Sequence, residues 1–146
     1  MRPYFAYGSN MIVEDMRRRC PSACFLGVAR LRGYRFRIAR SGYASLAREP
    51  GAMAYGTLWS ISAADEQRLD AYEEVATGLY RRTHLAVETF GAESGSSRRV
   101  GALVYLARDP GSGRPRGDYL ERILAAARRH RLPGAALTDI ERFLAD

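Results

Sequence analysis

The sequence predicts an α+β fold, a small and mostly antiparallel β-barrel flanked by short helices. Three observations lead there. Strand-like segments outnumber helical ones, short Gly, Pro and Asn turns separate them, and the helical segments carry their apolar residues on one face. A chain of 146 residues, 47% of them hydrophobic, fits a single domain spanning 1–146 with enough apolar side chains for a core.

Pro3, Tyr4, Phe5, Ala6 and Tyr7 have the composition of a buried strand. The strand stops at the turn formers Gly8, Ser9 and Asn10, and residues 11–19 read as a short helix with Asn10 as N-cap and Cys20-Pro21 as its end. Strand, glycine turn and helix start make a small pocket for an anion or a carbonyl, because the first amides of the helix are unpaired. Residues 25–39 alternate in places, with Tyr34, Phe36 and Ile38 against Arg35, Arg37 and Arg40, the period of a half-buried strand. Residues 45–47 and 52–61 read as two further strands separated by a turn at Glu49, Pro50 and Gly51. Ser62 then caps a helix, with Asp65 at its third position as an acidic form of the capping box. Residues 79–90 and 100–107 are the next strands, joined by the polar stretch 91–97. Residues 109–117, rich in Pro and Gly, form a loop. Asp118 and Glu121 frame a helix whose Leu120, Ile123, Leu124 and Ala127 share one face. Leu132-Pro133-Gly134 ends it, and Thr138 with Glu141 caps a last short helix.

All 23 basic residues are arginine, against 16 acidic ones, for a net charge of +7. Arginine's planar fork grips phosphate or carboxylate, which makes nucleic acid an alternative partner. The arginines are scattered, however, at 17–19, 81–82, 98–99, 128–129 and 131, without the single stripe and recognisable module that nucleic-acid binding calls for. No run approaches the roughly 18 apolar residues of a membrane span. Met1-Arg2-Pro3 leads straight into a strand with no signal-peptide core, so a cytoplasmic location without a membrane partner is expected. Cys20 and Cys24 are too few for a disulfide scaffold, and His84 and His130 lie far from them, so no metal is expected. Both thiols are expected reduced and in or near the core. No oligomeric state is read from the pattern.

One carboxylate stands out. Glu66, Asp70 and Glu74 recur every four residues as an acidic stripe expected to be wet. Glu73 lies one turn beyond Leu69 and beside Tyr72, on the border between that stripe and the apolar face. A carboxyl half-buried there has its pKa raised by desolvation, which suits acid–base work near neutral pH. The plainer reading is a surface glutamate. Ser9 lacks a Gly-x-Ser-x-Gly elbow, and neither His84, in a strand, nor His130, at a helix C-terminus, is a natural partner for it. Tyr4, Phe5 and Tyr7 also read as core aromatics, and on composition alone that is the better reading for at least two of them.

The run Tyr4-Phe5-Ala6-Tyr7-Gly8-Ser9-Asn10-Met11 resembles the signature of the gamma-glutamylcyclotransferase (AIG2-like) family. The resemblance continues through Arg19-Cys20-Pro21-Ser22-Ala23, Val28-Ala29-Arg30-Leu31, Pro50-Gly51, Gly56-Thr57-Leu58-Trp59, Leu69-Asp70-Ala71-Tyr72-Glu73 and Gly78-Leu79-Tyr80 to Tyr119 and Leu132-Pro133. It implies a gamma-glutamylcyclotransferase-like barrel flanked by helices. It also implies an enzyme that cyclises the gamma-glutamyl group of an amino acid or amine, releasing 5-oxoproline and the free amine, without metal or cofactor. By this resemblance Glu73 matches the catalytic general base and acid. The substrate-binding residues are Tyr4, Phe5, Ala6, Tyr7, Gly8, Ser9, Asn10, Tyr80 and Tyr119, and the partner is a small gamma-glutamyl compound.

Within the family the alternatives are a gamma-glutamylamine cyclotransferase and a member that trims a gamma-glutamyl protecting group from a biosynthetic intermediate. The arginine-rich loop 108–116 is expected to set the leaving group. Outside the enzyme class stands a non-catalytic protein that binds a small molecule or nucleic acid. The family usually carries glycine after the catalytic glutamate, where this chain has Glu74. A second carboxylate pointing inward is expected to raise the pKa of Glu73 further, and to take backbone freedom from the turn.

Overall fold

The computed structural model describes residues 1–90 and 97–144. Strands β1 (Arg2–Ala6), β2 (Cys24–Ile38), β3 (Ala44–Ile61), β4 (Tyr80–Phe90) and β5 (Ser97–Ala107) close in the order β1-β3-β2-β4-β5. Neighbours pair antiparallel except β1 and β5, which meet in parallel at Tyr4 and Leu103. The consecutive buried residues Ala102, Leu103, Val104, Tyr105 and Leu106 mark β5 as covered on both faces. Phe5, Leu31, Leu58, Trp59 and Val87 fill the core beside it. The expected fold class stands.

The helices are α1 (Val13–Arg19), α2 (Ala63–Tyr72), α3 (Tyr119–Arg129) and α4 (Gly134–Glu141). The capping box of α2 forms fully. Ser62 Oγ accepts the Asp65 N–H at 3.1 Å, and Asp65 Oδ2 accepts the Ser62 N–H at 3.3 Å. Leu120, Ile123, Leu124 and Ala127 of α3 are buried, as their spacing requires. Among the described residues no helix is long and apolar enough to cross a membrane.

Several local expectations are corrected. Asn10 does not cap α1. A 3-10 turn, Ser9–Met11, intervenes, and the Asn10 side chain is buried and spent on Tyr4 and Arg19. The stretch 49–51 does not divide two strands, because β3 runs through it. The β2–β3 pairing jumps from Arg32↔Met53 to Tyr34↔Arg48, so Pro50 and Gly51 sit in an irregularity of a continuous ribbon. Thr138 lies inside α4, which starts directly after Pro133, so it caps nothing. Asp118 precedes α3 without a side-chain capping bond. Cys20 is buried but Cys24 is exposed. Of the expected polar connection, 91–96 lies outside the described residues.

The acidic stripe of α2 is not wet. Glu66 and Asp70 both pair with Arg82 of β4, and Asp70 Oδ1 accepts the Tyr105 hydroxyl at 2.6 Å. The stripe faces the sheet, where arginine and tyrosine satisfy it, and only Glu74 at its end is exposed. These bonds fix the C-terminal end of α2 against the barrel, and that end carries Glu73.

Candidate active site

A cavity of about 310 Å³ opens where β1 runs into the 3-10 turn, opposite the end of α2. Tyr4, Phe5, Tyr7, Gly8, Ser9 and Asn10 form one wall, Tyr72, Glu73 and Glu74 another, and Tyr80, Tyr105 and Tyr119 line the rest with Tyr43, Ala44 and Leu79. The structure therefore brings together all the sequence-predicted site residues but one. Ala6 is buried and lies outside the lining, pressed against Gly56, where any side chain would collide with the Ala6 carbonyl. Glycine at position 56 lets β3 approach β1 closely there.

Glu73 is the C-cap of α2, with its N–H donating to the Leu69 carbonyl at 2.8 Å. Its half-buried side chain borders the cavity and has no hydrogen-bond or ion-pair partner among the described residues. Burial raises its pKa to about 7, and the Arg19 guanidinium holds it back from rising further. Burial, not a second carboxylate, is the cause: Glu74 is exposed. Glu74 takes a left-handed backbone, φ 51°, so the turn forms there despite the side chain.

Tyr80 and Tyr119 are oriented by the backbone of one residue, Ala44. The Tyr80 hydroxyl donates to the Ala44 carbonyl at 2.6 Å, and the Ala44 N–H donates to the Tyr119 hydroxyl at 3.0 Å. Each choice fixes what is left over. Tyr80 has committed its proton and keeps lone pairs to accept with, whereas Tyr119 keeps a proton to donate. Tyr7 is committed elsewhere, donating to the Tyr105 carbonyl. Burial pushes the hydroxyls of Tyr4, Tyr7, Tyr80, Tyr105 and Tyr119 above their ordinary range, so all stay neutral near pH 7.

At the turn, Met11 N–H makes the first backbone bond, to the Gly8 carbonyl at 3.0 Å. The Ser9 and Asn10 amides precede that bond and have no backbone partner among the described residues. Asn10 Nδ2 donates to the Tyr4 hydroxyl at 2.9 Å, which sets both side chains. A methyl group on Gly8 would lie 3.2 Å from the Ala44 Cβ and 3.4 Å from the Tyr119 hydroxyl, so glycine keeps this corner open.

Tyr43, Ala44, Leu79 and Tyr105 line the cavity without having been singled out for it, as does Tyr72 at its rim. Tyr72 and Leu79 stood inside the quoted segments, but a side chain's direction into a cavity is not written in a local pattern. The loop 108–116 does not line the cavity. Its Arg116 instead lies 5.0 Å from the Tyr43 ring centroid and donates to the Ser41 carbonyl at 2.7 Å. His84 and His130 are outside the cavity; the His130 ring bonds the Met11 carbonyl at 2.7 Å and stacks on Phe25. No group of three or more potential metal ligands gathers among the described residues.

The model of the family described as gamma-glutamyl cyclotransferase, AIG2-like, matches residues 4–122. A gamma-glutamylcyclotransferase from Homo sapiens is 29% identical over 140 residues, covering 89% of this chain and 72% of its own length. A solved structure named gamma-glutamyl cyclotransferase superposes with a TM-score of 0.86 at 26% identity, over 97% of this chain and 87% of that one. An AIG2-like protein from Mus musculus shares the fold with a TM-score of 0.59 at 24% identity, over 74% of this chain and 78% of that one. With the matched region running from the β1 turn through Glu73 to the start of α3, the chain belongs to the gamma-glutamyl cyclotransferase, AIG2-like family.

Proposed function

We propose that this protein cyclises the gamma-glutamyl group of a gamma-glutamyl amino acid or amine, releasing 5-oxoproline and the free amine. The observation that carries the reading is Glu73: a half-buried, unpartnered carboxyl with a pKa near 7, bordering a tyrosine-lined cavity opposite an amide-rich turn.

The substrate's α-ammonium is no nucleophile until it loses a proton, and Glu73 is the group to take it. The freed nitrogen attacks the γ-carbonyl carbon and closes a five-membered ring. The γ C–N bond then breaks, with Glu73 returning a proton to the departing nitrogen. Overall the α-ammonium gives up two protons and the leaving amine gains both, departing as an ammonium.

Nucleophile and carbonyl belong to one molecule, so the enzyme's main task is to hold the reactive rotamer. Well-oriented intramolecular reactions gain on the order of 7–11 kcal/mol in this way. The Ser9 and Asn10 amides and the Tyr119 proton are donors for the substrate carboxylate or the oxyanion, and Tyr80 is an acceptor for the ammonium. One oxyanion donor is worth roughly 3–4 kcal/mol.

The test is a panel of gamma-glutamyl dipeptides and gamma-glutamyl amines assayed for 5-oxoproline. Release from at least one class is expected, and the preferred leaving group separates the amino-acid, amine and protecting-group readings. Tight binding of these compounds without turnover would favour a binding protein instead.

A further inference from the structure

We infer that Arg19 is a positioning residue for this site, locking the amide turn and the Tyr72–Glu73 segment into one unit. The inference rests on the cyclisation proposed above.

Arg19 ends α1 and reaches three groups at once. Its guanidinium carbon lies 3.8 Å from the centroid of the Tyr72 ring. Its Nη1 donates to Ser9 Oγ at 3.2 Å and to Asn10 Oδ1. Ser9 Oγ and the Tyr72 hydroxyl are themselves 3.3 Å apart, which closes a ring of contacts between the turn and the residue before Glu73. The chain runs 53 residues from Arg19 to Tyr72, so no local backbone bond does this work. Tyr72 is 41% exposed, and a rim tyrosine of that kind needs a partner to hold its rotamer.

The second consequence is electrostatic. The titratable groups that line the cavity with Glu73 are Tyr4 and Tyr7 from β1 and the turn, Tyr43 before β3, Tyr72 and Glu74 beside it, Tyr80 from β4, Tyr105 from β5 and Tyr119 from α3. The buried tyrosines stay neutral and Glu74 is exposed. Arg19 is the cation whose field reaches the Glu73 carboxyl and opposes the effect of burial. The guanidinium thus combines two tasks: a planar fork for the turn, and a positive charge that keeps Glu73 able to ionise near neutral pH. Lysine can supply only the second.

The experiment compares wild type, Arg19→Gln and Arg19→Lys by kcat/KM for 5-oxoproline release across pH 5.5–9 (about the range either side of the Glu73 pKa), with thermal melts to score folding. Without the charge, the acid limb of Arg19→Gln moves up by about half a unit or more. Its rate deficit near pH 6 shrinks at higher pH. Arg19→Lys restores the limb but keeps a raised KM, because the fork and the stack are gone. A 13C titration of the Glu73 carboxyl reads the same upward shift in Arg19→Gln without substrate. An unshifted Glu73 titration in folded Arg19→Gln, or a loss of activity matched by loss of folded protein at every pH, overturns the inference. Wild type that releases no 5-oxoproline overturns the cyclisation reading and the positioning role with it.

Discussion

Tyr80 and Tyr119 hold opposite poles of one peptide residue: Tyr80 donates to the carbonyl of Ala44 while Tyr119 accepts from its N–H. Two phenols from different elements, β4 and α3, are thereby given opposite polarity toward the same cavity. The arrangement supplies an acceptor and a donor side by side without any charged side chain, so it adds little to the field that Glu73 feels.

Removing either hydroxyl has two costs, a substrate contact and an unpaired Ala44 group. Tyr119→Phe is expected to lower kcat/KM by roughly 10- to 100-fold, corresponding to about 1.5–3 kcal/mol. Tyr80→Phe falls in the same range. Steady-state kinetics on a substrate that wild type cyclises checks this, and a change below about twofold in both would contradict the assigned polarity.

Glu73 makes the active site a liability for folding. Its folded pKa is about 7 against an ordinary value of 4.5, so between those values the folded state binds the extra proton. The contribution of Glu73 to stability therefore falls as pH rises from 4.5 to 7 and then levels off. Glu73→Gln removes the cost. The variant is expected to match wild type at pH 4 and to exceed it at pH 8 by on the order of 2–3 kcal/mol, read by urea unfolding at both pH values.

Glu74 occupies a left-handed backbone that glycine adopts without strain. The relief in Glu74→Gly exceeds the extra entropy lost by a glycine, for a net gain of about 0.5–1 kcal/mol. A rise in Tm of roughly 1–4 °C is expected, and a fall would show that the Glu74 side chain makes contacts worth more than the strain.

Asp65 carries the far end of the same helix. It is fully buried, its carboxylate accepts the Ser62 N–H at 3.3 Å to cap α2, and it pairs with Arg68 at 3.0 Å. Asp65→Ala strands those donors and is expected to cost about 2 kcal/mol, lowering Tm by roughly 4–8 °C. Fluorescence or calorimetric melts decide it.

Much of this was legible in the sequence because local rules were obeyed. The apolar face of α3, the Ser62–Asp65 capping box and the alternation of Tyr34, Phe36 and Ile38 each specify their element without outside help. Glu73 was legible as a border residue on its helix. Misreadings fell where a distant partner decides. Asn10 looks like a cap until Tyr4 and Arg19 claim its side chain. Glu66 and Asp70 of α2 look wet until Arg82 and Tyr105 arrive from strands β4 and β5. Pro50-Gly51 looks like a turn until β2 pairs on both sides of it. Tyr43, Tyr105 and Arg19 joined the site only when the barrel closed around it.

The role of Glu73 is tested most directly by single-turnover release of 5-oxoproline from a bound gamma-glutamyl substrate near pH 8, comparing wild type with Glu73→Gln. Removing the proton acceptor is expected to slow release by about 10²–10⁴-fold, while the substrate's Kd changes by no more than a few-fold. Release by Glu73→Gln at close to the wild-type rate would contradict the account.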